Sequence, residues 1–202
     1  MAPRLNVAIY LFDNVEVLDF AGPFEVFSTA SRVQLRLTPQ ADKPFEVFTI
    51  ARTAGTILAR GSLVVQPRYL FSEHPPVDVL IVPGGIVSEE LEREQVVRWI
   101  SKIAQTTQVT ASVCTGSFLL AKAGLLNGKK AITHWEDIDD LARMFPGIKI
   151  TREARWVDEG SVVTSAGISA GIDMALHLVS RFTGTELASL TARQMDYPWL
   201  QV

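Results

Sequence analysis

The chain has 202 residues, of which 48% are hydrophobic and 20% are charged, and its formal net charge is −3. This composition is typical of a soluble globular protein and offers no basic surface for nucleic acid. A single cysteine excludes an internal disulfide, no apolar run reaches the ~20 residues of a membrane span, and the N-terminus carries no signal-peptide pattern. We therefore expect one cytoplasmic domain over residues 1–202, with no direct nucleic-acid or membrane partner.

The first half of the chain alternates strand-length apolar runs with helical segments. Strands are predicted over residues 5–12, 45–51, 62–66 and 77–82, and a helix over residues 89–103. Residues 15–27 are predicted to lead into a further helix. The first strand is apolar at nearly every position, which indicates a central parallel strand covered on both faces.

The second half continues the alternation. Strands are predicted over residues 108–113, 129–135 and 148–150, a hairpin over 155–157 and 161–165, and helices after Cys114 and over 136–145, 166–182 and 185–195. The pattern predicts an α/β fold with a doubly wound, mostly parallel sheet, helices on both of its faces and a small β-hairpin.

The only cysteine, Cys114, lies at a predicted junction of strand and helix. In open α/β sheets the carboxyl ends of strands carry the ligand sites, and the N-terminus of a following helix favours a thiolate. Small residues follow the cysteine over 115–117. The alternative is a small buried hydrophobic residue without a chemical role. The position favours a reactive thiol.

Asp19 lies in an apolar stretch just beyond the first strand. One interpretation is a helix N-cap, for which aspartate is a preferred residue. The other is a partly buried carboxyl group with a raised pKa, suited to proton transfer. Position alone favours the cap slightly, and the two roles are compatible.

The remaining candidates also follow predicted strands. Gly84 and Gly85 form either a tight turn or a loop whose N–H groups bind an anion. His134 is either a pocket-lining residue or a structural strand end, and Ile168 lies in a turn near the C-terminal helices. Because strand ends of a parallel sheet share one edge, a single crevice could contain all of these residues.

Six segments in this order resemble the ThiJ/PfpI superfamily. They are residues 15–27, 78–85, 113–117, 123–128, 133–135 and 164–173. The resemblance covers essentially the whole chain. Within the superfamily, the sequence is similar to the isonitrile hydratases and to the amidase-like domains of AraC-type regulators.

The resemblance implies a flavodoxin-like fold and a homodimer. It implies that Cys114 is the nucleophile on a strained elbow and that Asp19 is its partner carboxylate. It matches the backbone of Gly85 and Thr115 to oxyanion donors and places Ile168 near the cysteine.

The sequence departs from three groups within or related to the superfamily, and each departure makes one function less expected. Protease-like members carry a histidine directly after the cysteine, whereas this chain has Thr115. The sequence His134-Trp135-Glu136 has the His-x-Glu pattern of glutamine amidotransferases, but it follows Cys114 too closely to be that triad. AraC-type regulators continue into a DNA-binding domain, whereas this sequence ends at Val202, so direct DNA binding is not expected.

These features favour a hydro-lyase that adds water to a small-molecule isonitrile and yields an N-substituted formamide, with no cofactor. The alternatives are a small-molecule or oxidant sensor that uses Cys114 without turnover, and a glyoxalase or deglycase. The last activity ranks lower because that branch has glutamate where this chain has Asp19. The histidines and the cysteine show no metal-ligand spacing, so no metal site is predicted.

Overall fold

A computed structural model describes residues 4–199, so the first three and last three residues of the predicted domain lie outside the described range. The strands are β1 Leu5–Leu11, β2 Phe45–Ala51, β3 Ile57–Leu58, β4 Val64–Val65, β5 Tyr69–Leu70, β6 Val79–Val82, β7 Val109–Val113, β8 Lys130–Ala131, β9 Lys149–Ile150, β10 Trp156–Asp158 and β11 Val162–Ser165. The helices are α1 Val17–Leu37, α2 Ser88–Glu92, α3 Glu94–Ala104, α4 Gly116–Lys122, α5 Ile138–Met144, α6 Ala170–Thr183 and α7 Thr185–Gln194.

The main sheet has the strand order β10-β11-β7-β6-β1-β2-β5. Every neighbouring pair is parallel except β10 and β11, which form the predicted hairpin. The predicted fold class is therefore confirmed. The carboxyl ends of β1, β6, β7 and β11 meet at one edge of the sheet, and the candidate site lies there.

Helices cover both faces of the sheet. Phe27 of α1 packs edge-on against Phe45, with ring centroids 5.0 Å apart, and Phe45 is the register partner of Leu5. Tyr10, an odd number of residues from Leu5, points to the other face and contacts Trp99 of α3. The buried residues of β1 are thus sandwiched between α1 and α3, as its uniform hydrophobicity predicted.

Residues 15–27 lead into helix α1 as predicted, and the helix continues because Ala30 and Val33 extend the buried stripe on which it packs. Other predicted boundaries were wrong. The predicted strand 62–66 is instead the second half of the small β3–β4 hairpin. The predicted helix 89–103 is broken at Arg93, whose backbone is extended. None of the described helices is long and apolar enough to cross a membrane.

The predicted strand 129–135 was also wrong in its extent. Only Lys130–Ala131 pairs, and it pairs with β9 outside the main sheet. The chain then leaves extended geometry and forms a single 3-10 turn over Trp135–Asp137. This turn, rather than a strand end, delivers His134 and its neighbours to the site.

Candidate active site

Cys114 forms the sharp corner between β7 and α4. Its φ of 55° lies in the left-handed region, which a residue with a side chain rarely adopts. Neighbouring groups hold this conformation: the Cys114 N–H donates to Ser165 O at 3.2 Å, and its carbonyl accepts from the hydroxyls of Thr133 and Ser117 at 3.0 and 3.1 Å. Such a fixed, sparsely populated backbone conformation is commonly found at functional sites.

Two glycines allow the chain to close around this corner. A Cβ on Gly116 would lie 2.9 Å from the carbonyl carbon of Pro83, so the start of α4 can approach the end of β6 only with glycine. A Cβ on Gly167 would lie 2.9 Å from the Cys114 sulfur and closer still to the His134 ring. The loop before α6 therefore presses its backbone directly against the thiol and the imidazole.

Asp19 is fully buried in the first turn of α1. The N-cap position belongs to Glu16, so the interpretation of Asp19 as the cap was wrong. Its Oδ2 atom instead accepts a 3.0 Å hydrogen bond from the N–H of Gly84, while Oδ1 is buried with no hydrogen-bond partner of ordinary geometry among the described residues. A buried carboxyl oxygen without a partner is costly when ionised.

Burial raises the pKa of Asp19 to about 7, although the Gly84 N–H opposes the shift. The negative charge of Glu16 adds to the increase, and the adjacent Cys114 thiol and Arg60 reduce it. At neutral pH the carboxyl group is consequently divided between its protonated and ionised forms. This is the property that a general acid–base group needs.

The thiol of Cys114 shows the opposite of what its position predicted. Burial, followed by the charge of Asp19, raises its pKa to about 12, and Asp137 raises it further. The N–H and hydroxyl of Thr115 favour the thiolate but do not outweigh these effects. The expectation that the helix N-terminus would produce a thiolate was therefore wrong for the ligand-free protein, because two carboxylates and burial oppose it.

Thr115 links the cysteine corner to the glycine loop. Its hydroxyl accepts from the Gly85 N–H and donates to the Gly85 carbonyl, both at 2.9 Å. Of the two predicted oxyanion donors, Gly85 is thus engaged by a side chain, whereas the N–H of Thr115 acts on the Cys114 thiol and lowers its pKa. An oxyanion could take the Gly85 N–H only by displacing or sharing it with the Thr115 hydroxyl.

His134 lies in the site beside the thiol and does not end a strand. Its Nδ1 atom is 3.4 Å from Asp137 Oδ2 and 3.7 Å from Glu136 Oε2. The ring is largely buried, with 15% of the side chain exposed. Asp137 has a raised pKa, mainly from its own burial, and His134 opposes that increase.

A cavity of about 420 Å³ opens onto these groups. Five predicted residues line it: Gly85, Cys114, Thr115, His134 and Ile168. Asp19 and Gly84 are buried behind this lining.

The sequence analysis missed five further lining residues: Glu16, Arg60, Trp135, Glu136 and Asp137. Glu136 and Asp137 were included in the predicted helix 136–145, whereas α5 begins only at Ile138 and the two acids precede it. Within residues 4–199, no three His, Cys, Asp or Glu side chains are grouped so that they could hold a metal ion.

The sheet is mostly parallel, and its single described cysteine lies on a sharp strand-to-helix corner at the sheet edge. These two features place the chain in the class of flavodoxin-like α/β proteins. The chain belongs to the DJ-1/PfpI family, whose model matches residues 5–181. The superfamily predicted from the sequence motifs is thereby confirmed.

Relatives within the family have different functions. An isonitrile hydratase of Pseudomonas putida is 34% identical over 96% of this chain and 78% of its own length. The transcriptional regulator CdhR of Pseudomonas aeruginosa is 28% identical over 91% of this chain, which spans only 52% of that regulator. A ThiJ/PfpI family protein of Pseudomonas syringae has a solved structure that superimposes with a TM-score of 0.84 at 26% identity, over 97% of this chain and 76% of that one.

Proposed function

We propose that the protein is a cysteine-dependent isonitrile hydratase-like lyase, which converts R–N≡C and water into R–NH–CHO. The observation that carries this proposal is the burial of the Cys114 thiol, on a backbone corner with a φ of 55°, next to the fully buried carboxyl group of Asp19. Burial raises the pKa of the thiol to about 12 and that of the carboxyl group to about 7. The resting pair at neutral pH holds a thiol and a partly ionised carboxylate. The pair is suited to passing one proton between sulfur and a substrate.

In the first step, ionised Asp19 accepts the Cys114 proton as sulfur attacks the isonitrile carbon. The protonated carboxyl then donates that proton to the same carbon, which completes the addition of S–H and gives a thioimidate, R–N=CH–S–Cys114. Because the proton moves within the pair, no free thiolate has to accumulate. A high pKa of the resting thiol is therefore compatible with catalysis.

In the second step, Asp19 removes a proton from water as the water oxygen attacks the thioimidate carbon. The proton passes to the nitrogen, which gives R–NH–CH(OH)–S–Cys114. Collapse of this intermediate breaks the C–S bond, the hydroxyl proton returns to sulfur through Asp19, and the formamide leaves. The Thr115 N–H, which lowers the pKa of the thiol, would stabilise negative charge on the leaving thiolate.

The cavity supports a small substrate. Its volume of about 420 Å³ lies within the range of small-molecule sites. Turnover fits the thiol better than oxidant sensing does, because oxidation by peroxide requires an exposed thiolate. Cys114 is 8% exposed and its pKa is raised.

The homodimer implied by the superfamily stays a prediction, which sedimentation of the purified protein would test.

The direct test is formamide production from cyclohexyl isonitrile, followed by mass spectrometry. Wild-type protein is expected to turn over, Cys114→Ala to lose at least ~10³-fold in rate, and Asp19→Asn to lose ~10²–10⁴-fold. Trapping a Cys114 adduct that is heavier by the mass of the isonitrile would identify the thioimidate. Wild-type turnover that does not exceed that of Cys114→Ala would refute the proposal.

A further inference from the structure

One short turn, residues 135–137, supplies three of the side chains that line the cavity. Trp135 is 71% exposed, the most exposed of the large hydrophobic side chains in the described chain. Its ring centroid lies 5.6 Å from that of His134. A tryptophan left open at the rim of a cavity offers its face to whatever enters.

The same turn places two carboxyl groups at the cavity, and no described arginine or lysine forms an ion pair with either of them. Glu136 and Asp137 approach only His134 among the described basic residues, at 3.7 and 3.4 Å from its Nδ1 atom. The third carboxyl of the lining, Glu16, is already paired with Arg60 at 3.3 Å. Three carboxyl groups therefore face one guanidinium and one imidazole, and the lining has an excess of negative charge.

With an uncharged substrate, nothing that enters the cavity offsets this excess of negative charge. The charges of Asp19 and Asp137 both raise the pKa of the Cys114 thiol, and Glu136 and Asp140 raise that of Asp137. A positive charge bound near the turn would relieve this repulsion and favour the developing thiolate. An aromatic face next to carboxylates is also the combination that recognises ammonium groups.

We propose that the turn 135–137 is the specificity element of this site, and that it selects isonitriles whose substituent carries an ammonium group. The inference rests on the proposed function. The ammonium would lie over Trp135 and between the carboxylates of Glu136 and Asp137, with the isonitrile carbon directed to Cys114.

A contribution of the two acids to the α5 dipole does not account for the arrangement. Asp139 and Asp140 already occupy the first turn of α5, and each pairs with an arginine. Glu136 and Asp137 lie before the helix and line the cavity instead. A dipole role alone also gives no reason for the exposed indole of Trp135.

The test uses two isonitriles of the same shape, 2-(trimethylammonio)ethyl isonitrile and its neutral carbon analogue, tert-butylethyl isonitrile. Wild-type kcat/KM is expected to be about tenfold higher for the ammonium compound, the effect of one cation–π contact and two partly screened carboxylates. Glu136→Gln, Asp137→Asn and Trp135→Leu should each reduce that ratio at least about threefold. Asp139→Asn, which removes an acid that does not line the cavity, should leave the ratio unchanged.

A second measurement separates this proposal from the proposed function. The two corresponding formamides need no chemistry, so their binding to the protein is measured by calorimetry. If neither isonitrile is consumed but the ammonium formamide binds about tenfold more tightly, the hydratase activity fails and the charge selection stands. Equal kcat/KM for the two isonitriles, together with equal binding of the two formamides, would overturn the charge selection. A preference for 3-isocyanopropanoate, which would indicate an anion held by Arg60, would overturn it as well.

Discussion

Replacing Asp19 with asparagine should make the protein more stable at alkaline pH while removing its activity. Asparagine has nearly the same shape, and its side-chain oxygen can still accept the 3.0 Å hydrogen bond from Gly84 N–H. What disappears is a carboxylate that is fully buried, with one oxygen that lacks a hydrogen bond of ordinary geometry within residues 4–199. The substitution therefore removes a destabilising charge from the folded state without opening a cavity.

The magnitude follows from the pKa of Asp19, which folding raises from 3.8 to about 7. The folded protein thus holds a proton that the unfolded chain has already lost, so the wild-type free energy of unfolding falls as pH rises between these two values. At about 1.36 kcal/mol per pKa unit, the total loss is about 4 kcal/mol. About 2.5 kcal/mol of it falls between pH 5 and pH 8. The asparagine of the Asp19→Asn variant does not titrate and does not contribute this loss.

Urea unfolding of wild-type and Asp19→Asn protein at pH 5 and pH 8 measures the effect. The stability of the variant relative to wild type should increase by about 2.5 kcal/mol between the two pH values, or ~5–10 °C in Tm. Asp139→Asn, which removes a carboxyl group whose side chain is 84% exposed, should show no such change, because water hydrates that charge in both states. A relative stability of Asp19→Asn that is independent of pH, or that decreases at pH 8, would refute the assignment of a buried, destabilising carboxylate.

Three further predictions concern the chemistry of the site. Iodoacetamide should alkylate Cys114 more slowly at pH 7 in the folded protein than in the chain unfolded by urea, because burial raises the thiol pKa; equal rates measured by intact mass would contradict this. Hydratase kcat/KM should rise with pH through about 7 as Asp19 ionises and be lost as pH falls, and the profile should be flat for the residual activity of Asp19→Asn. Gly167→Ala would place a methyl group against the Cys114 sulfur and the His134 ring. It should lower the free energy of unfolding in urea by ~1–3 kcal/mol and remove most of the activity. Gly147→Ala, whose methyl group would have only Asn127 Oδ1 nearby at 3.8 Å, should keep the wild-type stability and activity.

The sheet could be predicted from the sequence because its strands are buried on both faces. Leu5–Leu11 and Val79–Val82 are apolar almost throughout, and this pattern has few other interpretations in a chain that alternates strands with helices. Strands at the edge of the sheet have a weaker hydrophobic pattern in the sequence. Strand β5 has two residues and pairs at the sheet border, so its location depends on the partner β2 rather than on its own sequence.

Cys114 and Asp19 could be singled out from the sequence because each breaks a local pattern, a lone thiol at a strand end and a carboxyl group in an apolar run. Their electrostatics could not be predicted. The thiol pKa depends on Asp19 and Asp137, which lie far from Cys114 in sequence and meet it only in the fold. The helix-dipole argument used a local feature, and burial together with two carboxylates outweighs it.

The sign of the stability change distinguishes the two interpretations of Asp19 that the sequence left open. Removing a helix cap destabilises a protein by about 1 kcal/mol at any pH at which the cap bonds form. Removing a buried carboxyl group that serves proton transfer does the reverse above its pKa, because the folded state no longer has to hold an unpartnered charge. In the structure Glu16 occupies the cap position, while Asp19 reaches across to Gly84 and the thiol. The folded protein thus retains a group that lowers its stability at neutral pH, and packing gives no reason for it, whereas the proposed proton transfer to and from Cys114 would.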